Sequence, residues 1–266
     1  MATKGERLDI ALVKRGLVET RSQARYLIRE GKVEVNGQIM IKAGYKVSEA
    51  DTIHLLEHHR YVSRGGLKLE AALKAFEIDV RGSVALDVGA STGGFTDCLR
   101  RHGASRVYAV DVGSGQLSSK LRQDSQVHVF EGTDIRYLKS LPETVDLVTI
   151  DVSFISLRLV LPAAVRFLKP ETGCIIALIK PQFEAGPKQT SRRGIIQAES
   201  MRRQVVADIL QWIVEQAWSV SGLIRSPIQG GEGNIEYLVC IHITKKPSEF
   251  TLELRDLWLS IKEAAI

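Results

Sequence analysis

The residues best suited to chemistry cluster where Val84-Ala-Leu-Asp-Val-Gly-Ala-Ser-Thr-Gly-Gly-Phe-Thr-Asp-Cys-Leu99 passes from an apolar run into a glycine-rich turn. Asp87 stands two residues before Gly89, and Gly93 and Gly94 precede Phe95, Cys98 and Leu99 at helical spacing. The pattern predicts strand, turn and helix. Missing side chains let a ligand press against backbone, and a helix N-terminus offers free N–H groups. A dinucleotide fingerprint requires G-x-G-x-x-G, but Ser91 takes the place of its second glycine. A carboxylate at Asp87 suits a ligand with an ammonium group better than a pyrophosphate. S-adenosylmethionine has that ammonium, and a sulfonium besides. The expected cofactor contacts of this stretch are Asp87, Gly89, Ala90, Ser91, Gly93, Gly94 and Phe95.

Further acidic residues close later apolar runs at Asp111, Asp134 and Asp151. In an open α/β sheet, strand ends line one edge, where ligands sit. Asp111 is the natural acceptor for two ribose hydroxyls, and Asp134 is placed to meet an adenine amino group. Each has a structural alternative as a helix cap or turn carboxylate. Lys180 follows the apolar run Cys-Ile-Ile-Ala-Leu-Ile, so it sits where a buried strand meets the crevice. Lys68 lies at the start of the helix before the sheet, and Glu236 opens the last strand. Together with Asp151 they form a second set of charged residues aimed at the same edge.

The elements that must position these residues alternate. Strands are expected at 84–88, 107–110, 127–130, 145–150, 174–179, 218–224 and 235–243, the last two as an antiparallel hairpin. Helices are expected at 67–76, 94–102, 117–121, 156–168 and 198–217. Such alternation predicts an α/β fold with a Rossmann-like, mostly parallel seven-stranded sheet covered by helices on both faces.

The chain before the sheet reads differently. A short helix over 7–15 is followed by a Thr20–Gln23 capping box, a second helix to Glu30, and a hairpin centred on Asn36-Gly37. Short strands continue through residues 39–56. On the second helix Arg21, Arg25 and Arg29 recur every four residues as a basic stripe, apart from the apolar Ala24, Leu27 and Ile28. Residues 1–60 hold eleven Lys/Arg and eight Asp/Glu, so more than half of the chain's net charge of +5 lies in under a quarter of its length. That balance leans toward a polyanionic partner. The expected organisation is a small α+β module over 1–57, a linker over 58–66 and the α/β domain over 67–266.

Arg-Ser-Gln-Ala-Arg-Tyr-Leu-Ile-Arg-Glu-Gly-Lys-Val-Glu-Val-Asn-Gly (21–37) resembles the core of the S4 RNA-binding domain. The resemblance implies that the second helix and the following loop meet structured RNA, and it makes Arg7, Arg21, Arg25, Arg29, Lys32 and Arg64 the candidate RNA contacts. The α/β domain resembles the FtsJ-like RNA ribose 2′-O-methyltransferases, and more closely the hemolysin A (TlyA) family of ribosomal RNA methyltransferases. Matching stretches are Ser-Arg-Gly-Gly-Leu-Lys-Leu (63–69), Leu-Asp-Val-Gly-Ala-Ser-Thr-Gly-Gly-Phe-Thr-Asp (86–97), Asp-Val-Ser-Phe-Ile-Ser (151–156), Lys-Pro-Gln-Phe-Glu (180–184) and Gly-Asn-Ile-Glu-Tyr (233–237). The resemblance implies a class I methyltransferase fold, S-adenosylmethionine as cofactor, and the ribose 2′-hydroxyl of ribosomal RNA, in a ribosomal subunit, as acceptor, with cytidine the implied nucleoside. It also implies that Lys68, Asp151, Lys180 and Glu236 form the catalytic Lys-Asp-Lys-Glu set. Two roles fit Lys180. A neutral lysine is a base for the hydroxyl proton, and a charged one stabilises the developing alkoxide.

Other classes fit poorly. Cytosine C5 chemistry needs a cysteine nucleophile in the crevice, and no strand end carries one. Exocyclic amine methylation favours a Pro-Pro-aromatic segment where this chain reads Asp151-Val-Ser-Phe. Cys98, Cys174 and Cys240 lie far apart among apolar residues, which predicts reduced core thiols, no metal site and a cytoplasmic location. The first residues lack the apolar stretch of a signal peptide, and no run approaches the roughly 20 apolar residues that span a bilayer. No membrane partner is expected.

Overall fold

The computed structural model describes residues 5–56, 60–185, 194–230 and 233–243. The chain divides into two compact units, Met1–Arg64 and Gly65–Ile266. Each has its own hydrophobic core.

In the first unit, β1 (Glu6–Arg7) leads into α1 (Leu8–Lys14), followed by α2 (Arg21–Arg29), β2 (Val33–Val35), β3 (Gln38–Ile39), β4 (Lys46–Val47) and β5 (Ile53–Leu55). The Thr20 cap forms as expected, with Thr20 Oγ1 accepting from the Gln23 N–H at 3.2 Å, but the return bond of the box shifts by one residue: Gln23 Oε1 accepts from the Glu19 N–H at 3.0 Å, before the cap. The Thr20 bond satisfies one of the donors that the helix start would otherwise leave open. Asn36 and Gly37 take φ of 51° and 81°, the double left-handed conformation that a two-residue hairpin requires. The sheet runs β3-β2-β5, all antiparallel, and its inner residues Val33, Val35 and Ile53 pack with Leu8, Leu12, Ala24, Leu27 and Ile28. Sequence reading put residue 7 inside the first helix. It instead extends β1, which pairs with β4 through Arg7 and Lys46.

The second unit opens with α3 (Gly65–Ala75). Gly65 and Gly66, expected as linker, form its first turn, and Gly66 is buried. There follow β6 (Val84–Val88), α4 (Gly94–Arg101), β7 (Arg106–Val110), α5 (Ser119–Arg122), β8 (Val127–Phe130), β9 (Leu147–Ile150), α6 (Leu157–Val165), β10 (Cys174–Ile179), α7 (Pro181–Glu184), α8 (Glu199–Glu215), β11 (Ser219–Arg225) and β12 (Tyr237–His242). The residues after Lys180, expected as loop, begin with the short helix α7, which Pro181 starts at a position where no N–H is needed. The seven-stranded sheet has the order β11-β12-β10-β9-β6-β7-β8. Pairings among β10, β9, β6, β7 and β8 are parallel, and β12 is antiparallel to both its neighbours. Leu86, Val148, Ile150, Ile175, Ala177 and Val239 place the sheet at the centre of the larger core, covered in part by Leu157 and Leu161 of α6 and Ile209 and Ile213 of α8. Cys98, Cys174 and Cys240 are free and buried.

Chain order reverses between β6 and β9. β7 and β8 build outward on one side of β6, and β9 and β10 on the other. Crevices that bind ligands open at such a switch point, beyond the carboxyl ends of the strands. No helix among the described residues is long and apolar enough to cross a membrane.

Candidate active site

Strand register brings the second charged set together. Asp151 directly follows β9, and in the β6–β9 register it falls beside Gly89. Lys180 directly follows β10. Because Ile179 pairs with Tyr237 and β12 runs antiparallel, Glu236, which precedes its strand, reaches the edge where the parallel strands end. Lys68 comes from the first turns of α3. Lys180 Nζ lies 2.6 Å from Asp151 Oδ1, and Lys68 Nζ lies 2.7 Å from Glu236 Oε2 and 3.9 Å from Asp151 Oδ2. Asp151 thus bridges two ammonium groups. Lys68, Lys180 and Glu236 are all buried. Burial pushes the Asp151 carboxyl up, but Lys68 and Lys180 outweigh it and hold the group below the usual carboxylate range. With two cations and two anions the set is neutral, which is how buried charges are tolerated.

Three neighbours were not picked out from the sequence. Ser153 Oγ accepts from Lys180 Nζ at 2.9 Å. Phe154, with a φ of 62°, is 90% exposed, and its ring lies 4.8 Å from that of Phe183, over which Lys180 Nζ sits at 5.9 Å. A bulky residue in this backbone region and so exposed carries a cost that packing does not repay. Glu184 accepts from Ser156 Oγ at 2.6 Å and from the Leu157 N–H at 2.8 Å, tying the segment after Asp151 to the segment after Lys180. The signal for all three was present as the polar and aromatic residues of Asp151-Val-Ser-Phe-Ile-Ser and Lys180-Pro-Gln-Phe-Glu, but only contacts assign them.

The glycine-rich turn lies against this set. Gly89 has a φ of 84°, and a Cβ there would overlap the Asp151 carbonyl oxygen. Gly93, at a φ of 96°, caps α4. Asp111 faces the same turn: its Oδ2 accepts from the Ser91 N–H at 2.8 Å and its Oδ1 from the Gly113 N–H at 2.7 Å. The half-buried carboxylate keeps lone pairs for a diol, and the turn opens next to the lysines. The residues present fit S-adenosylmethionine, which Asp111 and the 89–93 backbone would hold.

Three of the residues expected at the cofactor have partners within the protein. Asp87 is fully buried, and its oxygens accept from Thr96 Oγ1 at 2.6 Å and Thr149 Oγ1 at 3.0 Å. It supports the turn from beneath. Phe95 is 3% exposed and packs in the core. Asp134 takes the turn alternative, accepting from the Arg136 N–H at 2.9 Å and pairing with its guanidinium at 2.6 Å. Arg136 outweighs burial and lowers the Asp134 carboxyl.

Asp87 carries a measurable signature. Burial pushes its carboxyl up to about 7, against the two threonine hydrogen bonds, with Asp151 nearby adding to the rise. The unfolded chain titrates this group near pH 4. The fold therefore holds a proton that the unfolded chain releases, and the resulting stability is full below about pH 4 and is lost as pH rises toward 7. Asp87→Asn is expected to flatten the pH dependence of thermal unfolding across that window and to exceed the wild type in stability at its upper end. An unchanged slope in the variant would remove Asp87 as its source.

In the first unit, Arg7, Arg21 and Arg25 converge on Asp9, a residue the sequence reading passed over. Arg29 is exposed on the same helix and separate from this group. The stripe read from sequence is thus split. Lys32 is half-buried, and the Arg64 guanidinium stacks over the Tyr26 ring at 5.1 Å.

Known proteins share both units. The FtsJ-like methyltransferase model matches residues 61–243, and the S4 domain model matches residues 6–53. YqxC of Bacillus subtilis, named as a candidate rRNA methyltransferase, is 45% identical over 249 residues, 91% of this chain and 87% of its own. The 16S/23S rRNA (cytidine-2′-O)-methyltransferase TlyA of Mycobacterium tuberculosis is 42% identical over 237 residues, 88% of each chain. A solved structure from Streptococcus thermophilus, named as a candidate hemolysin, superposes with a TM-score of 0.76 at 42% identity, covering 96% of this chain and 95% of its own. An S4 domain followed by the FtsJ-like fold, the lysine–carboxylate set at the sheet edge and identity over most of the chain agree, and the protein belongs to the FtsJ-like methyltransferase family, among the relatives that carry the TlyA and hemolysin names.

Proposed function

We propose that this protein transfers a methyl group from S-adenosylmethionine to the ribose 2′-hydroxyl of a cytidine in ribosomal RNA, acting on ribosomal subunits in the cytoplasm. The observation that carries the reading is the buried Lys68–Asp151–Lys180–Glu236 set beside the glycine-rich turn. A relative 42% identical, named as a 16S/23S rRNA (cytidine-2′-O)-methyltransferase, supports the choice of acceptor.

The cofactor supplies an electrophilic methyl group on a sulfonium. A 2′-hydroxyl is a weak nucleophile and must lose its proton as it attacks. Lys180 Nζ, once its own ammonium proton has passed to solvent, is the neutral amine that receives the hydroxyl proton. Asp151, 2.6 Å away, and Ser153 fix the direction of the amine. Lys68 and Glu236 hold Asp151 from the far side, so the acceptor meets a rigid array. Phe154, exposed and braced by Phe183, is the platform on which the base of the target nucleotide stacks. Alignment of hydroxyl, methyl and sulfur contributes about 7–11 kcal/mol where geometry is ideal. The S4 unit supplies docking through Arg7, Arg21, Arg25, Arg29, Lys32 and Arg64.

The test is methyl transfer to purified ribosomal subunits, with the modified nucleoside identified by mass spectrometry after digestion. 2′-O-methylcytidine is expected, and a methyl group on a base would overturn the acceptor. Asp111→Ala should weaken cofactor binding by about 1.5–3 kcal/mol in calorimetry, because the lost bonds are to a charged acceptor. Wild-type affinity in a folded variant would exclude Asp111 from the cofactor site.

A further inference from the structure

Asp9 has no exposed surface, yet three arginines reach it from outside. Its Oδ1 accepts from Arg7 Nε at 2.9 Å, and its Oδ2 accepts from Arg21 Nη2 at 2.9 Å, Arg25 Nε at 3.2 Å and Arg7 Nη2 at 3.3 Å. The arginine side chains remain 41–52% exposed. They come from different places: Arg7 from β1, Arg21 and Arg25 from successive turns of α2. Asp9 lies in the first turn of α1, where the helix end also favours a negative charge. Burial pushes its carboxyl up, and the three arginines overturn this and hold it far below the usual range.

Stability is a weak reason for such an arrangement, since ion pairs with half-exposed arginines contribute little. Positioning is a better one. Three guanidiniums this close repel one another, and the carboxylate beneath lets them share one site. Arg25 uses only Nε, which leaves both its terminal nitrogens outside that bond. Gly44 makes room for Arg7, whose Nη1 would lie 3.2 Å from a Cβ at that position. Long basic side chains normally lose rotamer freedom on binding, and here the loss is taken on folding.

We propose that Asp9 is the positioning residue of the RNA-docking surface. It locks Arg7, Arg21 and Arg25 into one array that fits the closely spaced phosphates of a folded RNA. The proposal rests on the reading of the first unit as the RNA-docking part, and adds to it a residue that touches no RNA itself.

The sign of the expected effect separates this from simple charge. Asp9→Asn makes the protein one charge more positive, so Coulomb attraction alone would tighten RNA binding. Positioning instead requires that KM and Kd for ribosomal subunits rise about ten-fold, with the loss in KM and not in kcat. The salt dependence of binding should also flatten, as fewer phosphates are neutralised. Unchanged or tighter binding would overturn the proposal. Arg25→Lys decides the matter if Asp9→Asn does not fold, because the site is exposed and the charge is kept. Lysine has no second nitrogen with which to hold Asp9 and a phosphate together. Its binding loss should match that of Arg25→Ala, and wild-type affinity would overturn the proposal. Asp9→Asn added to the Arg7→Ala, Arg21→Ala, Arg25→Ala protein should cost nothing further in affinity. An additive loss would assign Asp9 to general stability. If the triple arginine variant itself binds RNA with wild-type affinity and salt slope, the docking reading fails, and the proposal with it.

Discussion

Lys180→Ala is expected to lower kcat for methyl transfer by about a hundred- to ten-thousand-fold, the range a positioned proton acceptor contributes. Affinities for cofactor and ribosomal subunits should stay near wild type, because the lost interaction strengthens only in the transition state. The geometry supports this separation. Lys180 follows β10 and contacts Asp151 and Ser153, while Asp111 and the glycine-rich turn, the proposed holders of the cofactor, lie at the ends of neighbouring strands. Asp151 keeps Lys68 at 3.9 Å in the variant, so the site retains one cation. Lys180→Arg is the finer measurement. Arginine stays protonated and cannot take the hydroxyl proton, so this variant should be as inactive as alanine. Near-wild-type turnover with arginine would instead give Lys180 the role of stabilising the alkoxide, and turnover with alanine would remove it from the reaction.

Gly89→Ala is expected to destabilise the fold by about 2–5 kcal/mol, from roughly 1–2 kcal/mol of left-handed backbone strain and ~1–3 kcal/mol of overpacking. The added methyl would overlap the Asp151 carbonyl and press on Val152 at 3.2 Å. Relief of that overlap moves either the cofactor turn or the strand end carrying Asp151, so cofactor binding and turnover should fall together. Gly82→Ala is the control. Gly82 has a φ of 72°, but nothing lies within 4 Å of its would-be Cβ. It should show the strain alone, with activity intact. Equal destabilisation in the two variants by denaturant unfolding would refute the close approach of turn and strand end.

The two tests bear on different kinds of residue, and these differ in how legible they were. Gly89, Gly93 and the strand beneath them are local features. A run of apolar residues, a carboxylate and glycines in fixed spacing must turn the same way wherever the chain goes. The same holds for the Thr20 helix cap and the Asn36-Gly37 hairpin, both of which form where the sequence places them. Less legible were the side chains with two local options. Asp134 can meet a ligand or close a turn, and in the fold Arg136, two residues on, pairs with it in the turn. Asp87 reads as a ligand carboxylate, and the sequence does not show that Thr96 and Thr149, 9 and 62 residues away, donate to its oxygens.

The sequence by itself determined the α/β alternation, the seven strands, the glycine-rich turn, and the identities of Lys68, Asp151, Lys180 and Glu236 as unusual charges beside apolar runs. Backbone propensity and hydrophobic periodicity act over a few residues, so they survive without a fold. Only the tertiary structure decided which charges meet. The Lys68–Glu236 contact spans 168 positions and exists because β12 runs antiparallel, which delivers a residue preceding its strand to the edge where β10 ends. It also decided that Asp9, an ordinary helix-start carboxylate in sequence, lies under three arginines, and that Phe154 stands exposed beside Phe183. Such pairings are set by strand register and burial. These are properties of the packed chain, and no window of neighbouring residues contains them.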